Sequence, residues 1–342
     1  MTPAPAGHHG ADDGVGGADA RTGGTDGTDA AADPDGTDGT DGTDADGADD
    51  AAAIEVWTSR EALVGDTRVR RALPRPGHRT VGAWCFADHM GPLPSDGTPT
   101  GIGPHPHSGL HTVTWLVEGE LLHRDSLGSE QAIRPGQLNV MTAGGGVSHA
   151  EEPTGRRGGG LHGIQLWVAQ PEATRHGAPA FEHHPSLPEA EVGTARATVL
   201  IGTLEGAESP ARRDTELVGV DIRIRPGEAE LPVDPSFEHA VVVLEGLVRI
   251  DGRAVVPGRG AYAEPGRHQL DLSTEEDSRL LLLGGVPFEA PVVMWWNFVG
   301  RTRQEVAEAG SQWNAGAARF GDTGSAMARI PAPRPPWNAL EA

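Results

Sequence analysis

From residue 54 onward the chain alternates short apolar runs with glycine and proline: "VGAWCF", "HTVTWLVEG", "QLNVMTAG", "GIQLWVA", "ATVLIG", "VDIRIRPG", "HAVVVLEG" and "RLLLLGG". Runs of this length, rich in β-branched and aromatic residues and bounded by turn formers, predict the strands of a sandwich or barrel. Helical periodicity is rare. Its best instance is Thr302-Arg303-Gln304-Glu305 ahead of Val306, a capping-box pattern that predicts a short helix near the C-terminus. The 49 Gly and 28 Pro in 342 residues fit this turn-rich, all-β reading.

Two stretches repeat one theme. "HTVTWLVEGE…RPGQLNVMTAGGGVSH" at 111–149 and "HAVVVLEGLVRIDGRAVVPGRGAYAEPGRH" at 239–268 each run His, apolar strand, Glu-Gly turn, strand, Pro-Gly turn, strand, Gly-rich turn, His. A divergent duplication of one small barrel accounts for this pattern. Two β-barrel domains are therefore expected, 54–186 and 187–342, joined near residues 183 to 196.

The first 53 residues contain no Leu, Ile, Phe, Trp or Tyr. They carry 13 Asp against one Arg, a charge of −12 out of the chain's −22. Such a segment buries too little apolar area to offset the entropy of ordering, and it is expected to be disordered. Its "DGTDGTDGTD" at 35–44 has the look of a calcium-binding repeat, but lacks the apolar residue that each turn of a β-roll needs. The opening has no basic and apolar leader, and no run of about 18 apolar residues follows, so a soluble cytoplasmic monomer is expected without membrane contact.

A single cysteine, Cys85, rules out an internal disulfide framework and any multi-thiolate zinc site. Metal chemistry must then use histidine and carboxylate. Beyond the tail the net charge is still −10, with basic residues clustered only in pairs such as Arg70-Arg71 and Arg156-Arg157, so direct nucleic-acid binding is disfavoured.

Histidine is where the sequence concentrates its chemistry. "HPHSGLH" places His105 and His107 two residues apart, on one face of an extended strand. His149 and Glu151 in "HAEE" form a second such pair, after the three glycines of "TAGGGVSH". Two pairs on facing strands give three imidazoles and a carboxylate, a donor set suited to Fe, Mn, Cu, Ni or Zn. Four such ligands leave two positions open on an octahedral ion, which suits Fe(II) and dioxygen. His111 shares the parity of His105 and His107, but the intervening Ser108-Gly109 can break the register, making it a neighbour of the ligands rather than one of them. His89 and His162 read as structural. The second repeat keeps His239 and His268, but Val233 and Pro235 stand at the positions of His105 and His107, as expected of a barrel without a metal.

The long segment "HPHSGLHTVTWLVEGELLHRDSLGSEQAIRPGQLNVMTAGGGVSHAEE", with "LHGIQLWV" and "MWWNFVGR", resembles the pirins, members of the cupin superfamily, and the resemblance spans roughly residues 54–310. It implies a bicupin fold with one metal, usually iron, in the N-terminal barrel, held by His105, His107, His149 and Glu151. At the position of His111 pirins usually carry an acid or amide. Two roles follow from the family. One is a quercetin 2,3-dioxygenase activity, in which the flavonol 3-hydroxyl binds the metal, Glu151 takes its proton, and dioxygen opens the ring with release of carbon monoxide. The other is regulation, in which the metal shapes a surface that binds a protein partner.

Overall fold

The computed structural model describes residues 53–65, 67–93, 101–154 and 160–337. The expected disordered tail lies, except for Ala53, outside these residues. Within them the chain forms two tandem β-barrels, each pairing a seven-stranded antiparallel sheet with a four-stranded one. The first large sheet runs, in order, Ala180–His184, Leu138–Thr142, Leu110–Glu118, His162–Ala169, Trp84–Met90, Thr67–Leu73 and Arg60–Val64. The second runs Glu55–Thr58, Arg259–Ala263, Glu238–Glu245, Ser278–Gly285, Leu217–Ile224, Ala195–Ile201 and Glu189–Val192. Leu110–Glu118 and Leu138–Thr142 of the first sheet, and Glu238–Glu245 and Arg259–Ala263 of the second, were expected from the repeat, and they occupy corresponding places in the two sheets.

The near-continuous apolar runs are explained by burial on both faces. In Glu238–Glu245, Val241 and Val243 point into the second barrel, while Ala240, Val242 and Leu244 point into a core shared with the first barrel. Val113, Trp115, Ile164 and Leu166 meet them there from the first sheet. Trp84 ties the two together: its indole N–H donates to the carbonyls of Val218 at 3.1 Å and Gly284 at 3.2 Å. Gly219 makes that fit possible, because a Cβ there would stand 2.8 Å from the Trp84 ring.

Segments near both ends of the described residues cross the expected boundary between the halves. Glu55–Thr58 pairs with Arg259–Ala263 and forms the edge strand of the second sheet. After the second barrel the chain returns to the first: Ile330 N–H donates to Pro104 O at 2.9 Å, and Ser148 Oγ donates to Phe320 O at 2.8 Å. At the edge strand Ile102–His107 the returning segment thus satisfies the Pro104 carbonyl, an acceptor that the sheet leaves unpaired. The returning segment contains the expected helix, Arg303–Asn314. Thr302 caps it by accepting from Glu305 N–H at 3.1 Å, but the Glu305 carboxylate reaches Arg301 N–H at 2.8 Å instead of the cap residue itself. Val306, Ala309, Gly310 and Trp313 form its buried face, packed near Phe298 and Phe320.

Candidate metal centre

The strand Ile102–His107 lies antiparallel to Val147–Pro153, with His105 directly opposite His149. Strand parity then puts His105, His107 and His149 on one interior face, all three buried. One ring nitrogen from each lies within 4.8 Å of the others, and among the described residues this is the group of three that could hold an ion.

The outward nitrogens are anchored. His105 Nδ1–H donates to Gly103 O at 2.9 Å, and His107 Nδ1–H donates to Asn297 O at 3.2 Å. His149 is held by a relay that begins at a carboxylate. Asp125 Oδ2 accepts from His123 Nε2–H at 3.0 Å, which leaves His123 Nδ1 to accept from His149 Nδ1–H at 3.4 Å. Each anchor fixes the tautomer and leaves the Nε2 lone pair facing the centre. Nε2 of His107 and Nε2 of His149 are consequently 3.0 Å apart with lone pairs converging. That contact is unfavourable between two neutral rings and becomes favourable around a cation. The spacing also lets both nitrogens reach one ion at ordinary bond lengths of about 2.0–2.1 Å. Burial pushes His105 down to about 4 and holds His107 and His149 well below the usual histidine range, so all three are neutral donors at pH 7.

Glu151 lines the same cavity, half-buried, but its carboxylate is not in the group of converging nitrogens. The register explains the separation. Between His149 and Glu151 the ladder slips, with two steps along Val147–Pro153 matched by three along its partner, so the second pair does not repeat the spacing of the first. Loss of solvent raises the Glu151 carboxyl to about 7.

His111 stands elsewhere. The strand ends at His107, and a new one begins at Leu110 in the other sheet, so the parity does not carry through Ser108-Gly109. His111 Nε2–H donates to Asp214 Oδ2 at 3.1 Å, and its Nδ1 lies 2.9 Å from Thr142 Oγ1. Asp214 also accepts from Gln170, Thr174 and Arg212. Burial pushes this carboxyl up, but the donors prevail and hold it well below the usual carboxylate range. His89 and His162 stand apart from the three histidines and pair with each other: their Nε2 atoms are 2.8 Å apart, and His162 Nδ1–H reaches Glu245 at 3.2 Å, in the second barrel.

His123 and Asp125 join the cluster without having been expected from the sequence. They are themselves two apart on one strand, in "LLHRDS", and the parity rule that found "HPH" applies to them equally. His123 also stacks on Phe181, with ring centroids 4.4 Å apart. His123→Phe retains that stack but breaks the relay, and is expected to weaken metal affinity by about 10- to 100-fold, the usual worth of a partner to a metal-bound histidine. Metal titration with a competing chelator measures it; an unchanged affinity would show that the relay does not position His149.

The three histidines line a cavity of about 370 Å3, within the roughly 300–1,000 Å3 typical of small-molecule sites. Trp167 meets the His107 ring edge-on at 5.2 Å and stacks with Phe86 at 4.0 Å. Ile102 and Ile330 add apolar wall, and Trp296 and Asn297 come from the returning C-terminal segment.

Residues 66–168 match the family model described as Pirin, and residues 219–321 match that of the Pirin C-terminal cupin domain. A Pseudomonas aeruginosa protein, PA1205, provisionally named a quercetin 2,3-dioxygenase, is 44% identical over 82% of this chain and 90% of its own length. A pirin-like protein of Caulobacter vibrioides is 38% identical over 78% of this chain and 95% of its own. The crystal structure of a quercetin 2,3-dioxygenase from Acinetobacter baumannii superposes with a TM-score of 0.80 at 40% identity, covering 83% of this chain and 96% of that one. No helix of the described residues is long and apolar enough to cross a membrane.

Proposed function

The chain belongs to the pirin family of bicupins, and on that premise we propose that its first barrel holds one divalent metal and opens flavonols with dioxygen, as a quercetin 2,3-dioxygenase does. The observation that carries this reading is the convergence of three tautomer-locked imidazoles at the floor of an aromatic-walled cavity. Imidazole donors without thiolate suit iron(II), our choice of ion, and also Mn, Cu, Ni or Zn. When bound, such an ion supplies a Lewis-acid and redox centre for an oxygen-donor substrate and dioxygen.

The chain's own residues would do the rest. Phe86, Trp167, Ile102 and Ile330 would bury the flat rings of the flavonol, and Trp296 would help to exclude water from the mouth. Glu151 would accept the proton of the 3-hydroxyl, for which a carboxyl raised to about 7 is well matched, since a base works best with a pKa near the operating pH. In this reading Glu151 is first a base. To serve as a fourth ligand as well, its carboxylate would have to move toward the imidazoles.

Anaerobic titration with quercetin tests the proposal before any turnover. Metal-loaded protein is expected to bind one flavonol per chain and to shift its absorbance to longer wavelength as the 3-hydroxyl loses its proton, whereas metal-free protein leaves the spectrum unshifted. Absence of a shift with the loaded protein would remove the flavonol reading and leave the regulatory one, with a protein partner at the metal-shaped surface.

A further inference from the structure

The second barrel contains a cavity in the place that the metal site occupies in the first. Its strands Glu238–Glu245, Ser278–Gly285 and Leu217–Ile224 correspond in sheet order to Leu110–Glu118, His162–Ala169 and Trp84–Met90. The first-barrel strands wall the metal cavity through Thr112, Trp167 and Phe86. Their counterparts wall a cavity of about 290 Å3 through His239, Leu282 and Val218.

His239 sets this cavity apart from a packing void. It is 1% exposed, and neither ring nitrogen has a hydrogen-bond partner. Among the described residues it joins no group that could hold a metal. Gly284, directly opposite on the neighbouring strand, keeps room for the ring: a Cβ there would lie 2.7 Å from His239 Cδ2. A buried donor and acceptor left unpaired cost stability, and leucine would fill the position without that cost. Burial lowers the imidazole to about 4, so at neutral pH it offers one N–H and one lone pair. A hydroxyl group, which both accepts and donates, complements it. Phe237, Leu282 and Val218 present apolar surface beside it. At the rim, Glu205, Glu216 and Asp234 are exposed carboxylates, and the one lining cation, Arg213, is 3.4 Å from Glu208, so the mouth disfavours anions.

We propose that the second barrel is a metal-free binding site for a small neutral hydroxyl-bearing molecule about one aromatic ring in size, with His239 pairing the hydroxyl and Phe237, Leu282 and Val218 packing the ring. This site stands independently of the flavonol reading of the first barrel.

The test uses phenol as probe on the full chain carrying labelled leucine and valine methyl groups. Phenol is expected to perturb the Leu282 and Val218 methyl signals saturably, and to bind more tightly than toluene, which lacks the hydroxyl, or benzoate, which is anionic. His239→Leu should weaken phenol by about tenfold, the worth of one hydrogen bond to a buried group, and leave toluene unchanged. It should also raise the melting temperature of the ligand-free protein. His239→Gln, which keeps a donor and an acceptor, should keep the preference for phenol. Absence of perturbation at Leu282 and Val218, benzoate binding as tightly as phenol, or equal phenol affinity in the wild type and the leucine variant would overturn the proposal. Should the leucine variant fail to fold, the ranking of the three probes on the wild type decides.

Discussion

His149→Ala is expected to purify nearly free of metal while its barrel stays folded. The ring contributes one of three converging nitrogens, and even a partner outside the ligand set is commonly worth 10- to 100-fold in affinity, so loss of a ligand should exceed about 100-fold. The fold does not depend on it. Val147–Pro153 is laddered on both sides, to Ile102–His107 and to Leu121–Asp125, and its neighbours Val147 and Ala150 remain in the core. The substitution also relieves the 3.0 Å contact between the two Nε2 atoms, so the metal-free variant should melt close to the metal-free wild type. His107→Ala should behave alike, whereas His268→Ala, at an exposed position of the second barrel, should leave metal content unchanged. Elemental analysis and thermal melts read both quantities; full occupancy in His149→Ala would place the metal elsewhere.

The second large effect is on turnover. Glu151→Gln keeps the size of the side chain but cannot accept a proton, and is expected to slow flavonol turnover by about 10²- to 10⁴-fold, the usual contribution of a general base. The carboxylate's distance from the converging nitrogens separates this effect from metal loss: the variant should retain at least most of its metal. Equal turnover in metal-loaded wild type and Gln variant would take the role of base away from Glu151. Loss of metal in parallel with activity would instead make it a ligand.

The three-histidine cluster was legible because strand parity is a local property. "HPH" fixes two rings on one face whatever the rest of the chain does, and the glycines before His149 allow the turn that brings the second strand alongside. Glu151 shares the parity of His149, but the register slip depends on the partner strand and leaves no mark in "HAEE". His111 shows the converse: parity fails across Gly109, where the chain passes from one sheet to the other. The repeat itself carries a one-residue difference. His111 precedes Glu118 of its turn by seven residues and His239 precedes Glu245 by six, and a slip of one residue reverses the face. His239 therefore points into its barrel, whereas His111 points to Asp214. The return of the C-terminal segment to the strand Val147–Pro153 rests on contacts more than 170 residues apart in sequence, such as Ser148 to Phe320, and no periodicity announces them.

The most direct test of the central claim is a single aerobic experiment on iron-loaded wild-type protein with quercetin, following carbon monoxide release against flavonol consumed. One carbon monoxide is expected for each flavonol lost, at a rate proportional to metal content and abolished in metal-free protein. Flavonol bound by the fully loaded protein under air, with neither loss of its absorbance nor carbon monoxide, would show that the first barrel does not open flavonols.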